Sequence, residues 1–314
     1  MAFKKRSLLS KLLLKYTDRD RYKEYKWELT NYNKDEFDKY FTGKQRLNTL
    51  EKIRQFCAEN SEININHSGN AGDIIYALAT LKRIHELTGV KINMYLKLSK
   101  PRAMPKHMSH PLGSVMLNQK MVDMLAPLIL SQSYIAKCEP YNGQQIHIDL
   151  DFFRSKLIPI DHGNIARWCG YLTGVTPQLF KNWLTVEPDK SYANTFIIAR
   201  SERYRNTSIN YTFLQKYSDL VFVGVASEYD DMRKVIPNLK WVQVDDFLKL
   251  AQIIAGCKLF IGNQSFPFSL AEALKVPRIL EVYYQEANVI PEGENAYDFF
   301  FQEHLESLVK QLAI

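Results

Sequence analysis

Cysteine is scarce in this chain: four among 314 residues, at 57, 138, 169 and 257. None forms a C-x-x-C pair, which excludes a disulfide framework and a thiol redox motif, so reduced, mostly buried thiols in a cytoplasmic protein are expected. No apolar run approaches the roughly 20 residues needed to cross a bilayer. Lys11 interrupts the N-terminal leucines and no small-residue cleavage site follows, so a signal peptide is not expected. Histidine shows no H-E-x-x-H or comparable ligand spacing; His107 and His110 stand three apart in a proline-flanked loop without a third ligand, and no metal is expected. No Walker loop, no G-x-S-x-G elbow, no fixed-period repeat and no low-complexity tract occurs.

What is present is an ordinary globular composition, with 46% hydrophobic and 24% charged residues, and enough chain for two domains. The formal charge of +7 suits phosphate-bearing ligands, an anionic membrane or nucleic acid without choosing among them. Residues 1–57 read as a basic helical extension. In FKKRSLLSKLLLKY, Leu8, Leu9, Leu12 and Leu13 make one stripe while Lys4, Lys11 and Lys15 point elsewhere. Two readings stay open for residues 3–16: a helix lying on anionic lipid, or one packed on protein with a solvated basic face.

From Ile63 the pattern alternates between strands and helices. ININ reads as a strand, HSGNAGD as a loop, and IIYALATLKRIHELTG as a helix with Gly89 at its C-cap. KINMYLKL and QIHIDLDF read as further strands, MVDMLAPLIL and NIARWCGYLTGV as helices. A second series opens near Tyr192. TFIIAR, LVFVGV, CKLFIG and RILEVY read as strands; FLQKYS, DDFLKLAQIIAGC, FSLAEALK and the C-terminal segment read as helices. The expected fold is α/β, with two Rossmann-like domains at 58–188 and 189–314 whose parallel sheets leave a ligand cleft outside the strand ends.

Three stretches carry candidate chemistry. In the loop after the first strand, His67, Asn70 and Gly72 precede Asp73 at a helix entrance; Asp73 is a general base facing the cleft or a helix cap. Arg200, Ser201, Arg203 and Arg205 follow the strand TFIIA, where three guanidinium groups are a diphosphate clamp or a solvated loop. Asn263, Gln264, Ser265 and Phe266 form a turn into a helix whose N–H groups and dipole suit a phosphate, with Glu272 further along for ribose hydroxyls. Gly224 and the stretch Val225–Tyr229, with Ser227 and Glu228 in it, at the end of LVFVGV are candidates for a base pocket. Asp149 and Asp151 have the spacing of a D-x-D metal motif in a strand-like segment, a pattern common by chance.

GDIIYALATLKRI and LFIGNQSFPFSLAEALKVPRIL resemble the N- and C-terminal motifs of the ADP-heptose:lipopolysaccharide heptosyltransferase group. The resemblance spans about residues 62–90 and 195–300, and implies a GT-B glycosyltransferase. It implies inverting, metal-independent transfer of a sugar from a UDP-, GDP- or ADP-sugar, with Asp73 as base and Arg200, Arg203 and Ser265 toward phosphate. The sequence departs from the motifs at Ala79, Gln264, Phe266, Ser269 and Glu272, so heptose itself is not implied. The acceptor expected is a surface glycan or lipid-linked saccharide, with the N-terminal helix at the inner face of a membrane. Two alternatives are open: glycosylation of hydroxymethylated DNA bases, and a non-catalytic nucleotide-binding protein.

Overall fold

The computed structural model describes residues 3–41, 46–102, 113–155, 158 and 160–313. His107 and His110 lie outside these residues. Contacts divide the chain into two units, the described parts of Met1–Arg46 with Arg154–Ile158, and of Leu47–Phe153 with Pro159–Ile314.

In the first unit, α1 (Leu8–Thr17) starts where Ser7 caps it, its hydroxyl accepting from Ser10 N at 3.3 Å. Asp18 ends α1 and opens α2 (Arg19–Phe41), accepting from Arg21 N at 3.0 Å. Tyr25 anchors the pair: its ring stacks on Phe3 and its hydroxyl accepts from Arg6 N. No residue of α1 is buried, and its leucine stripe stays exposed.

The second unit opens with α3 (Leu50–Glu59), capped by Thr49, and holds two parallel sheets. The first contains β1 (Glu62–His67), β2 (Lys91–Leu96), β3 (Ile135–Pro140) and β4 (Ile148–Asp149), ordered β3-β2-β1-β4. Between β1 and β2 runs α4 (Ala71–Thr88), closed by Gly89 in the left-handed conformation. Ten of its residues are buried, which is why its sequence is apolar nearly all round. α5 (Gln119–Leu130) precedes β3, and α6 (Ile165–Thr173) follows β4. β4 is shorter than its sequence suggests: pairing stops at Asp149 and the chain turns into a 3-10 segment, Leu150–Arg154. The alternation in QIHIDLDF that reads as strand is therefore partly a turn.

The second sheet contains β5 (Phe196–Ala199), β6 (Leu220–Val223), β7 (Lys240–Val242), β8 (Leu259–Asn263), β9 (Arg278–Glu281) and β10 (Ala296–Phe299). Its order is β10-β9-β8-β5-β6-β7. β5, β6, β8 and β9 are buried at every position, and they read as unbroken apolar runs because helices cover both faces. The helices are α7 (Ala226–Val235), α8 (Phe247–Ala255), α9 (Phe266–Leu274) and α10 (Gln302–Leu312). FLQKYS is a 3-10 turn, Thr212–Lys216. The short edge strands β7 and β10, the strand β3 and the polar helix α7 are absent from the pattern read in the sequence.

Each sheet reverses strand order beside its first strand, at β1/β4 and at β5/β8. Such points leave a crevice outside the carboxyl ends of the strands. Gly262 lets β8 and β5 meet there, since a Cβ on it would collide with the Ala199 carbonyl and lie 2.9 Å from the Phe260 ring. Gly262→Ala is expected to cost about 1–3 kcal/mol by overpacking, read as a lower urea midpoint at unchanged slope.

Candidate functional site

At the β5/β8 reversal, Asn263 ties the two strand ends together. Its Oδ1 accepts from Ser201 N at 2.9 Å and its Nδ2 donates to Ser201 O at 2.7 Å. Ser265 then starts α9, but its hydroxyl turns back to Asn263 O at 3.2 Å and makes no cap bond. The first-turn N–H groups of α9 consequently have no side-chain cap, the condition under which a helix start receives an anion. Ser201 Oγ is buried nearby without a hydrogen-bond partner. Phe266 packs on Phe247, ring centroids 4.2 Å apart.

The three arginines do not act as one clamp. Arg200 is buried, donating to Glu281 through Nε at 2.7 Å and Nη2 at 3.0 Å, and also to the carbonyls of Asn206 and Ile209. Burial works against its charge, and the bonds to Glu281 outweigh that, raising its pKa. Arg205 pairs with Asp231 at 3.1 Å. Arg203 stacks on Tyr204 at 4.8 Å and makes no ion pair among the described residues, so it is the arginine with charge to spend on a ligand. A cavity of about 460 Å³ lies beside this loop, lined in part by Arg200, Thr207, Tyr211 and Lys234; neither Ser201, Asn263 nor Ser265 lines it.

Two further expectations meet a different local structure. Gln264 is committed within the protein, donating to Glu286 O at 2.7 Å and Asn288 Oδ1 at 2.9 Å and accepting from Tyr283 N. Glu272 is buried between Lys275 and Arg278 and also accepts from Glu292 N, so its oxygens hold the fold together and do not face a crevice. At the end of β6, Gly224 accepts from the Trp241 indole at 3.1 Å, and Ser227 is exposed on α7.

Glu228 stands in the same stretch after β6. Its carboxylate accepts from Glu202 N at 3.1 Å, joining α7 to the loop after β5. Burial raises its pKa, against the N–H groups of Glu202 and Val225 and the charges of Arg205 and Arg203. The sequence places Glu228 beyond a strand end; only the tertiary structure folds the loop after β5 over it.

In the first sheet, the loop after β1 is tightly built. Gly69 N–H donates to His67 Nδ1 at 2.9 Å, and a Cβ on Gly69 would lie 2.5 Å from His67 Cε1 and 2.6 Å from Asp73 Oδ2. His67 is buried, stacked on Phe153. Asp73 is half-buried and accepts from Asn70 N at 3.0 Å, so it does cap α4. Beside it, at the β1/β4 reversal, Asp151 accepts from Ser68 N at 2.7 Å and Ser68 Oγ at 2.6 Å, while Lys97 and Lys100 approach it. Burial opposes ionisation of Asp151; Ser68, His67 and the two lysines prevail and lower its pKa. Lys97 lies 3.5 Å from Asp149 and 3.3 Å from Asp151, between the two carboxylates where a D-x-D cation would sit.

The two strand-end sites come together at the helix starts. Gly72, in the first turn of α4, faces the first turn of α9: a Cβ on it would be 3.7 Å from Ser269 Oγ and 3.9 Å from Phe266 Cα. Tyr204, in the loop after β5, has a pKa pushed up to about 12 by burial, and its phenol feels the Asp73 carboxylate. Cys169 on α6 is likewise pushed up to about 12 by burial, then by Asp73 and Asp151. Asp73, Tyr204, Phe266 and Ser269 thus share one neighbourhood.

The sheets are joined by more than this edge. The Trp183 indole donates to Ile75 O, and Trp183 N and Leu184 N donate to Ala273 O. Arg167 makes a two-toothed pair with Glu292 at 2.7 and 2.8 Å.

No protein-family model matches the sequence, and no curated protein matches it. Solved structures match the fold. E. coli heptosyltransferase WaaC with ADP-2-deoxy-2-fluoro heptose superposes with a TM-score of 0.53 at 10% identity, over 80% of this chain and 99% of that one. E. coli ADP-heptose LPS heptosyltransferase II gives 0.53 at 11%, over 80% and 98%. The glycosyl transferase family 9 protein from Veillonella parvula gives 0.51 at 11%, over 80% and 89%. The chain has the two-sheet GT-B architecture of these transferases.

Proposed function

We propose that the protein is a glycosyltransferase of the hexosyl- or heptosyltransferase kind, moving a sugar from a nucleotide-sugar donor to an acceptor hydroxyl. The first sheet, within 58–188, serves the acceptor and the second, within 189–314, the donor. The observation that carries the reading is the meeting of the α4 and α9 starts across Gly72, which brings a carboxylate within reach of an uncapped helix N-terminus.

In the proposed step the acceptor hydroxyl gives its proton to Asp73 while its oxygen attacks the anomeric carbon from the side away from the diphosphate. The bond from that carbon to the phosphate oxygen breaks, the electron pair leaves on the diphosphate, and configuration inverts. The charge growing on the diphosphate is met by the α9 N–H groups and Arg203, leaving a divalent cation no required part. Glu228 and Ser227 line the route a nucleoside would take beyond the phosphates. The acceptor class is a glycan or lipid-linked saccharide, which in the latter case brings the enzyme to a membrane surface.

A thermal-shift panel of UDP, GDP, ADP, CMP and dTDP, with their sugar conjugates and with and without EDTA, tests this. One diphosphate is expected to raise Tm by several degrees, as saturation at about 100 times Kd stabilises by ~2.7 kcal/mol, and the shift should survive EDTA. ADP is the first candidate, since solved neighbours hold ADP or an ADP-sugar. A panel with no response removes the donor site.

A further inference from the structure

We infer that α1 docks the protein on an anionic lipid surface. Leu8, Leu9, Leu12, Leu13 and Tyr16 fall within roughly 140° of the helix circumference at about 100° per residue. All five are exposed, from 44% for Leu12 to 81% for Tyr16. Single exposed leucines are ordinary, whereas a contiguous stripe marks a surface meant to be covered. Residues 3–17 also carry five cations, Lys4, Lys5, Arg6, Lys11 and Lys15, and no acid. Lys11 and Lys15 lie on the rim of the stripe by the same angular count, where a lysine stem can follow the leucines down while its ammonium stays among headgroups. A stripe of this kind sinks about 5–10 Å into the headgroup and acyl boundary, drawn by the cations.

Charge chooses the occupant. A protein partner that covered the leucines would also have to match Lys11 and Lys15 along one edge and three further cations just before the helix, and nucleic acid would engage the cations but leave the leucines in water. An anionic bilayer satisfies both. This surface belongs to the other unit of the chain from the donor site, and the inference does not depend on the proposed transfer.

The test uses the full chain, without donor or acceptor, sedimented with vesicles of phosphatidylcholine alone or mixed with phosphatidylglycerol. The protein is expected to pellet with the anionic vesicles only. Leu9→Glu with Leu13→Glu should lower partitioning at least about 10-fold, and leave the melting temperature and any nucleotide shift unchanged because neither side chain is packed. Failure to bind anionic vesicles overturns the inference. Undiminished binding by the leucine variant does the same, since attraction would then be purely electrostatic. So does a wild-type dimer that the leucine variant turns into a monomer, which makes the stripe a contact between copies, or preferential capture by duplex DNA. None of these results bears on the nucleotide panel, so the two readings fail separately.

Discussion

Asp73→Asn is expected to cut transfer about 100- to 10,000-fold, the span that a positioned general base contributes. The substitution is chosen because it separates the two parts this side chain can play. Asp73 is the N3 partner of a capping box whose N-cap is Asn70, and the amide oxygen of an Asn of the same length can accept from Asn70 N in its place, so melting should move little. Basicity at the crevice is lost while charge and shape on the donor side stay as they were, so the nucleotide-induced thermal shift should persist. Turnover measured with a labelled nucleotide-sugar, beside that shift, reads both properties. A variant that keeps most of its activity would reduce Asp73 to a cap.

Glu281→Ala is expected to destabilise the protein by about 3–5 kcal/mol, the cost of leaving a buried charge without its partner. Four groups converge on this carboxylate: Arg200 Nε, Arg200 Nη2, Asn206 N and the Tyr211 hydroxyl. Glu281 has no exposed surface, and Arg200 is nearly as covered. Burial, and after it the charge of Glu281, pushes the Tyr211 phenol well up, so Tyr211 stays protonated and donates. The variant should lose roughly 10 °C in Tm and much of its urea midpoint, and with them nucleotide binding, because the loop after β5 is fastened to β9 through this cluster. A loss below about 1 kcal/mol would mean that water satisfies Arg200. The guanidinium would then be available to a phosphate, the role the sequence first suggests for it.

The same contrast runs through the other candidate residues. The turn that holds Asn263 and Ser265 was legible as local structure, because a buried strand, a turn and a helix start follow one another directly in sequence and the physics of an uncapped N-terminus is local. The place of Asp73 in the first turn of α4 was legible for the same reason. Glu272 misled, since a carboxylate inside an apolar helix looks like a ligand group until Arg278 and Lys275 are seen folded against it. Gln264 misled similarly: its partners Glu286 and Asn288 are more than twenty residues away. The D-x-D spacing of Asp149 and Asp151 was legible, but the polar knot they make with Ser68, Lys97 and Lys100 was not, because it joins three strand ends separated by up to 83 positions.

By itself the sequence determined the two α/β series, the apolar strands that go into parallel sheets, the glycine that ends α4, and the amphipathic pattern of α1. Each of these follows from the period of hydrophobic residues and from backbone preferences that act within a few residues. Tertiary structure alone decided which charges were spent inside the protein and which were left for a ligand. Arg200 and Arg203 are three residues apart in the same loop; burial against Glu281 claims one, and stacking on Tyr204 leaves the other its charge. Ion pairing and desolvation depend on distance in space, and distance in space is set by the strand order that brings β5, β8 and β9 side by side.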